Sequence, residues 1–276
     1  MMTDRRRELA GPHAESTLVI DEVGLDDGPV VLWMHSEWGT YDDPPVDASV
    51  LDRARVIVIH QPGWGLSTGE GHLITLADVA LAYWWAVNQL GLPPKVVIAG
   101  HGLGAAVAAE MAIQHPERVT DLVLAAPFGL WDDEIGGEDM FALMPRDVAE
   151  HMYADPLGPV ATRQFPPAKT AYEKGLAGIR RAQTLGPASR YLYPLPDTGV
   201  SERLYRLADT PVTLVWGARD GLAPIALAER WTEYLPHARL VRVEEAAHMV
   251  AYESDDLSRV LSAAVGTPSI PDSKGN

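Results

Sequence analysis

Chemistry in this chain has to be built without cysteine, because its 276 residues include none. Thiolate nucleophiles, disulfides and Cys-based metal sites are thereby excluded. The stretch that invites a catalytic reading is VVIAGHGLGAAVAAEMA, residues 96–112. An apolar strand, a tight glycine turn and a small-residue helix follow one another in it. A turn of the form G-x-S-x-G lifts a serine above the end of a strand, where an imidazole can take its proton. Here the centre of GHGLG is Gly102. Gly100 and Gly104 suit a bend with little room for side chains. Gly102 itself avoids the backbone strain, about 1–3 kcal/mol, that a non-glycine residue bears in such a conformation. The same glycine removes the hydroxyl, and losing the nucleophile of a serine triad costs roughly a millionfold in rate. Acyl-enzyme chemistry at position 102 is excluded.

The elements that must position such a turn follow from hydrophobic runs. Short strands are predicted at 16–23, 29–35, 54–60, 95–100, 119–127, 211–217 and 238–244. Continuous Val/Ile/Leu segments of this length suit parallel strands covered on both faces, and helical patterns alternate with them. Leu76, Val79, Ala80, Tyr83, Trp84, Val87 and Leu90 recur at helical spacing, with Thr75 and Asp78 forming a capping box. A second helix is predicted from Leu103 to His115, limited by Pro116. Others are expected over 223–235 and 253–264. From Phe128 to Ala208 the rhythm breaks into prolines, the acidic segment WDDEIGGED and helical pieces. The expected organisation is an α/β core at 1–127 and 209–265, a helical cap at 128–208, and a disordered tail at 266–276.

Composition narrows the partners. The formal charge is −16, which repels phosphate and argues against nucleic acid. The opening MMTDRRRELAGPHAE has no apolar stretch behind its basic residues, so it does not read as a signal peptide. No apolar run has the length of a membrane span. A cytoplasmic protein acting on a small molecule, with no membrane partner, is the expectation. No His/Asp/Glu cluster has metal-ligand spacing, and no phosphate-cradling motif occurs, so neither metal nor cofactor is expected. Oligomeric state is unreadable.

With these elements in place, the chain resembles the α/β-hydrolase superfamily over roughly residues 16–127 and 205–265. The resemblance rests on GHGLG, on GARDGLAP after the strand at 211–217, on EEAAHMVAYESDD, and on HQPGWGLS at 60–67, where His60 stands in place of the usual aspartate. It implies a mostly parallel twisted sheet flanked by helices, with a helical cap. It also implies Asp220 as the acid and His248 as the base. An imidazole titrates near neutrality and needs a carboxylate to fix its tautomer, which gives this pair a physical rationale. The family's serine is replaced by Gly102. Its oxyanion donors fall on the backbone N–H groups of Glu37 and Leu103.

Around the turn WMHSEWG, two orientations of Glu37 are open: toward solvent, or inward, where burial would raise its pKa and let it act as an acid. Ser36 is a possible substitute nucleophile, and Ser67 reads as a turn cap. Trp38 and Trp64 flank the site and could line a pocket with Ser36. His101 reads as packing. Three functions remain open. The first is an enzyme in which Asp220 and His248 activate water or a substrate proton, the space at Gly102 admitting the water. Such a pair suits an ester, a lactone or a related carbonyl compound, or the cofactor-free non-hydrolytic chemistry known in the superfamily. The second is a non-catalytic binder of a small ligand. The third is a serine hydrolase inactivated by substitution at position 102.

Overall fold

The structure is a computed structural model and describes residues 2–39 and 44–266. Eight strands form one sheet: β1 (Met2–Ala10), β2 (Thr17–Leu25), β3 (Val30–Met34), β4 (Arg55–Ile59), β5 (Val96–His101), β6 (Val119–Ala125), β7 (Val212–Gly217) and β8 (Arg239–Val243). Their spatial order is β1-β2-β4-β3-β5-β6-β7-β8. β2 runs antiparallel to both β1 and β4, and every pairing from β4 across to β8 is parallel. The apolar runs of β3 and β5 are buried along their whole length, as strands with helices on both faces must be.

β1 is the element absent from the sequence expectation. Its residues MTDRRRELA carry no apolar alternation, which is the signal strand prediction relies on. Charge holds it instead: Arg6 pairs with Asp21 at 2.7 Å, Arg7 with Glu22 at 2.8 Å, and Arg55 from β4 reaches the same Glu22 at 2.7 Å. A charged edge strand also discourages further strand addition.

The helices are α1 (Ala48–Leu51), α2 (Leu76–Gln89), α3 (Leu103–Gln114), α4 (Pro145–Met152), α5 (Pro159–Gln164), α6 (Ala171–Leu192), α7 (Ala226–Tyr234), α8 (Val250–Glu253) and α9 (Asp256–Ala264). The Thr75–Asp78 capping box opens α2. Small residues let α3 lie close on the sheet: a Cβ at Gly104 would stand 2.2 Å from the His35 carbonyl oxygen, and one at Gly100 would stand 2.4 Å from that of Gly104. These two glycines answer to space, not to φ. Between β6 and β7 the chain forms α4, α5, α6 and a 3-10 stretch over 200–207. Among the described residues this segment contains no strand beyond an isolated bridge between Gly129 and Asp197. The expected tail falls outside the described residues from 267 onward.

Candidate active site

Gly102 caps the N-terminus of α3 with φ 54° and ψ −117°, a conformation that favours glycine. Its N–H donates to the Ala125 carbonyl at 3.0 Å, tying the turn to the end of β6. A Cβ built at this position would lie 2.3 Å from Glu37 Oε2 and 3.3 Å from His248 Nε2. The space above the turn is therefore filled by the carboxylate of Glu37.

Glu37 sits in the tight turn after β3, closed by the Gly39 N–H on the Ser36 carbonyl at 3.0 Å. The Trp64 indole N–H donates to the Glu37 carbonyl at 3.0 Å and fixes this turn from the loop after β4. The Glu37 carboxylate, wholly buried, makes two defined contacts. Oε2 accepts the Leu103 N–H at the start of α3, 3.1 Å away, and Oε1 lies 3.1 Å from His248 Nε2. A carboxylate at the amino end of a 12-residue helix is also favoured by the helix dipole.

His248 and Asp220 come from separate loops that the backbone presses together. A Cβ at Gly217, the last residue of β7, would stand 2.1 Å from the Ala247 carbonyl oxygen. Asp220 Oδ2 meets His248 Nδ1 at 2.9 Å, while its Oδ1 accepts the N–H groups of Leu222 and Ala223 at 2.9 and 2.8 Å. The His248 carbonyl accepts from His101 Nε2 at 2.7 Å, and the ring of Phe128 packs 5.1 Å away. Glu253 adds a brace to the cap, accepting from Ala154 and Ala247 N–H at 2.8 Å each.

Burial opposes charge on His248, but the carboxylates of Asp220 and Glu37 outweigh it and push the pKa up to about 10. For Glu37, burial works toward a raised pKa, and the attraction of His248 overrides it to leave the carboxyl below its ordinary value. The two neighbouring histidines go the other way. Burial pushes His35 down to about 3 and His101 to about 4. Their hydrogen bonds agree: His35 donates from Nδ1 to the Ser36 carbonyl at 2.7 Å and accepts the Gln61 N–H on Nε2 at 2.9 Å, a pattern that requires the neutral ring.

A family model described as alpha/beta hydrolase fold matches residues 29–255. The chain belongs to this family. Among its relatives, the dihydrolipoyllysine-residue acetyltransferase component of the acetoin cleaving system from Cupriavidus necator is 28% identical over 245 residues. That match covers 86% of this chain, which spans 63% of the relative's length. The pimeloyl-[acyl-carrier protein] methyl ester esterase of Nitrosomonas europaea is 27% identical over 257 residues, covering 87% of this chain and 93% of the esterase. Among solved structures, a meta-cleavage product hydrolase from Pseudomonas fluorescens superposes with a TM-score of 0.71 at 19% identity, covering 94% of this chain and 96% of that one. At that identity the likeness concerns the fold. The α/β-hydrolase fold read from the sequence is the fold observed.

Within this α/β-hydrolase frame, the expectations for the space at Gly102, the Leu103 N–H, the Glu37 carboxyl and Ser36 need correction, and the other named residues take structural places. The space at Gly102 does not stand open for water, because Glu37 fills it. The Leu103 N–H, expected as an oxyanion donor with that of Glu37, is engaged by the Glu37 side chain. Buried Glu37 has a lowered pKa where burial alone predicts a raised one, since the sequence does not show that Nε2 of His248 faces it. Ser36 Oγ accepts the Trp38 N–H at 3.2 Å and caps the turn, so no contact brings it to His248 as a nucleophile. Trp38 is buried against Phe165 with ring centroids 5.4 Å apart, and Trp64 is buried as the brace of Glu37, so both pack the site's walls. His60, in the usual aspartate position, pairs with Asp21 at 2.7 Å. Ser67 Oγ accepts the Val19 N–H at 2.9 Å, a structural bond. Among the described residues no group of side chains could hold a metal ion, and no helix is long and apolar enough to cross a membrane.

Proposed function

We propose that this α/β-hydrolase-fold chain is a hydrolase of small carbonyl compounds, an ester or lactone. It works through Asp220 and His248 without a serine at the turn centre. The observation that carries the reading is the buried series Asp220–His248–Glu37, with contacts of 2.9 and 3.1 Å, aligned over the amino end of α3. A relative whose name denotes a methyl ester esterase agrees with hydrolytic chemistry. No step calls for a metal or an organic cofactor, and the site residues come from one chain.

The same observation weighs against an inactivated serine hydrolase. In such a protein the space for the missing side chain would be vacant, whereas here the Glu37 carboxylate occupies it and contacts the Leu103 N–H and His248. It weighs against a simple binder as well, because a buried charged triad has a desolvation cost that an apolar ligand pocket does not require. Turnover of a panel of activated esters and lactones tests the proposal. The chain is expected to turn over at least one of them and His248→Ala is expected to lose that activity. No turnover by the unmodified chain would overturn the reading.

A further inference from the structure

His248 faces a carboxylate oxygen with each ring nitrogen, Asp220 Oδ2 at Nδ1 and Glu37 Oε1 at Nε2. A neutral imidazole has one N–H and would turn a lone pair toward the second carboxylate. Both contacts are met by an imidazolium between two carboxylates, the state that the lowered Glu37 carboxyl favours over a Glu37 O–H on a neutral ring, and an imidazolium has no lone pair with which to take a proton. The group that can take one is Glu37. The remaining titratable groups around the pair do not alter this. His35 and His101 are held neutral by burial, the hydroxyls of Tyr153 and Tyr252 are raised by it, and burial likewise raises Glu253. Arg163 acts on the two tyrosines from the cap side.

Resting on the hydrolytic reading above, we propose that the Glu37 carboxylate is the catalytic base and that its substrate is a neutral ester or lactone, with His248 serving as a fixed positive charge. In the attacking step, a water O–H bond breaks and its proton passes to Glu37. The water oxygen bonds to the carbonyl carbon, and the carbonyl π pair moves onto oxygen. Once protonated, Glu37 loses its hold on His248 Nε2–H and Leu103 N–H and its side chain swings off the turn, so that these two donors meet the new oxyanion in the space it leaves. Negative charge moves from Glu37 to the substrate oxygen between the same two donors, so the site's net charge is unchanged. The tetrahedral adduct collapses with cleavage of the bond to the alkoxide, which takes the proton back from Glu37, giving acid and alcohol. A neutral substrate is the class that fits: with two carboxylates and one imidazolium the site already carries a net negative charge, and an anionic substrate would add to it.

Glu37→Gln is the deciding variant. Its amide oxygen can accept from Leu103 and its amide NH₂ can donate to a neutral His248, so the fold is retained, which thermal unfolding checks. On an activated neutral ester, kcat is expected to fall at least about a hundredfold, with the wild-type profile flat through neutral pH. ¹⁵N NMR of the wild-type protein at pH 7 is expected to show both ring nitrogens of His248 protonated. A neutral ring there overturns the base assignment and leaves the hydrolytic reading standing. So does retained or increased turnover by Glu37→Gln with a limb near the ordinary imidazole pKa, which would make Glu37 a plug and His248 the base. Incorporation of ¹⁸O into Glu37 after a single turnover in labelled water would make it a covalent nucleophile and overturn the assignment as well. Silence from every protein, wild type included, overturns the hydrolytic reading and the assignment with it.

Discussion

Placing a hydroxyl at position 102 should damage the protein before it helps it. In Gly102→Ser the new Cβ would lie 2.3 Å from Glu37 Oε2 and 3.2 Å from its Cδ, so the carboxylate has to leave. With it go the Leu103 N–H bond and the contact to His248, both buried. Removing one partner from a buried ion pair costs about 3–5 kcal/mol. A φ of 54° adds strain, on the order of 1–3 kcal/mol for a residue with a Cβ. A hydrogen bond from the new hydroxyl to His248 returns about 1 kcal/mol. The net expectation is a loss of about 3–7 kcal/mol, a large part of the ~5–15 kcal/mol that stabilises a typical domain.

The double variant Gly102→Ser/Glu37→Ala separates the clash from the strain. Removing the carboxylate opens the space, so the double variant should be more stable than Gly102→Ser alone, with a coupling energy of about 2 kcal/mol or more in a double-mutant cycle. It should also acquire ester turnover with a neutral limb in its pH profile, because the freed His248 would then serve a hydroxyl. Urea unfolding of the four proteins at pH 7, with m-values compared, provides the measurement. If Gly102→Ser costs under about 1 kcal/mol and the two changes are additive, Glu37 does not occupy the turn's space in solution and the argument fails.

Three further outcomes follow from the same contacts. The histidines set a stability optimum near pH 6.5. His248, with its pKa raised to about 10, contributes stability that is complete below its unfolded value and is lost as pH climbs toward 10. His35 and His101, lowered to about 3 and about 4, contribute stability present above their unfolded value and lost as pH falls toward those numbers. Each group acts with a slope of about 1.4 kcal/mol per pH unit within its window, and a monotonic dependence of urea midpoints between pH 4 and 9 would contradict this balance. Trp64→Phe strips the indole donor from the Glu37 carbonyl and should cost about 1–3 kcal/mol while lowering kcat more than it raises KM; an unchanged kcat would mean the turn after β3 needs no brace. Glu253→Gln keeps one acceptor of two, so amide exchange at either Ala154 or Ala247 should quicken while distant core amides stay protected, and equal protection at both would show that Glu253 does not join the cap to the His248 loop.

Most of the frame was legible because its signals are local. VVLWM is apolar throughout and RVIVI and VVIAGH are apolar but for one terminal residue each, the pattern of a buried parallel strand. The Thr75–Asp78 capping box is likewise written within four residues. β1 was illegible because its partner decides it: MTDRRRELA becomes a strand by matching its arginines to Asp21 and Glu22 on β2, and that match exists only after β2 is placed. The site divides along the same line. Asp220 and His248 were identifiable because each sits in a loop that resembles a known motif and needs only the other for its meaning. Glu37 belongs to no motif as a side chain, and its role depends on three distant facts: that Gly102 leaves room above the turn, that Leu103 presents a free helix N–H there, and that His248 reaches the same point from 211 residues further along the chain. The signal that linked them was the anomaly itself. A glycine at the centre of a turn, together with a glutamate in the turn facing it, is a complementary pair: the volume that the glycine leaves free is taken by the glutamate carboxylate. Neither residue is informative alone, and a substitution at either should be tolerated best when the other changes with it.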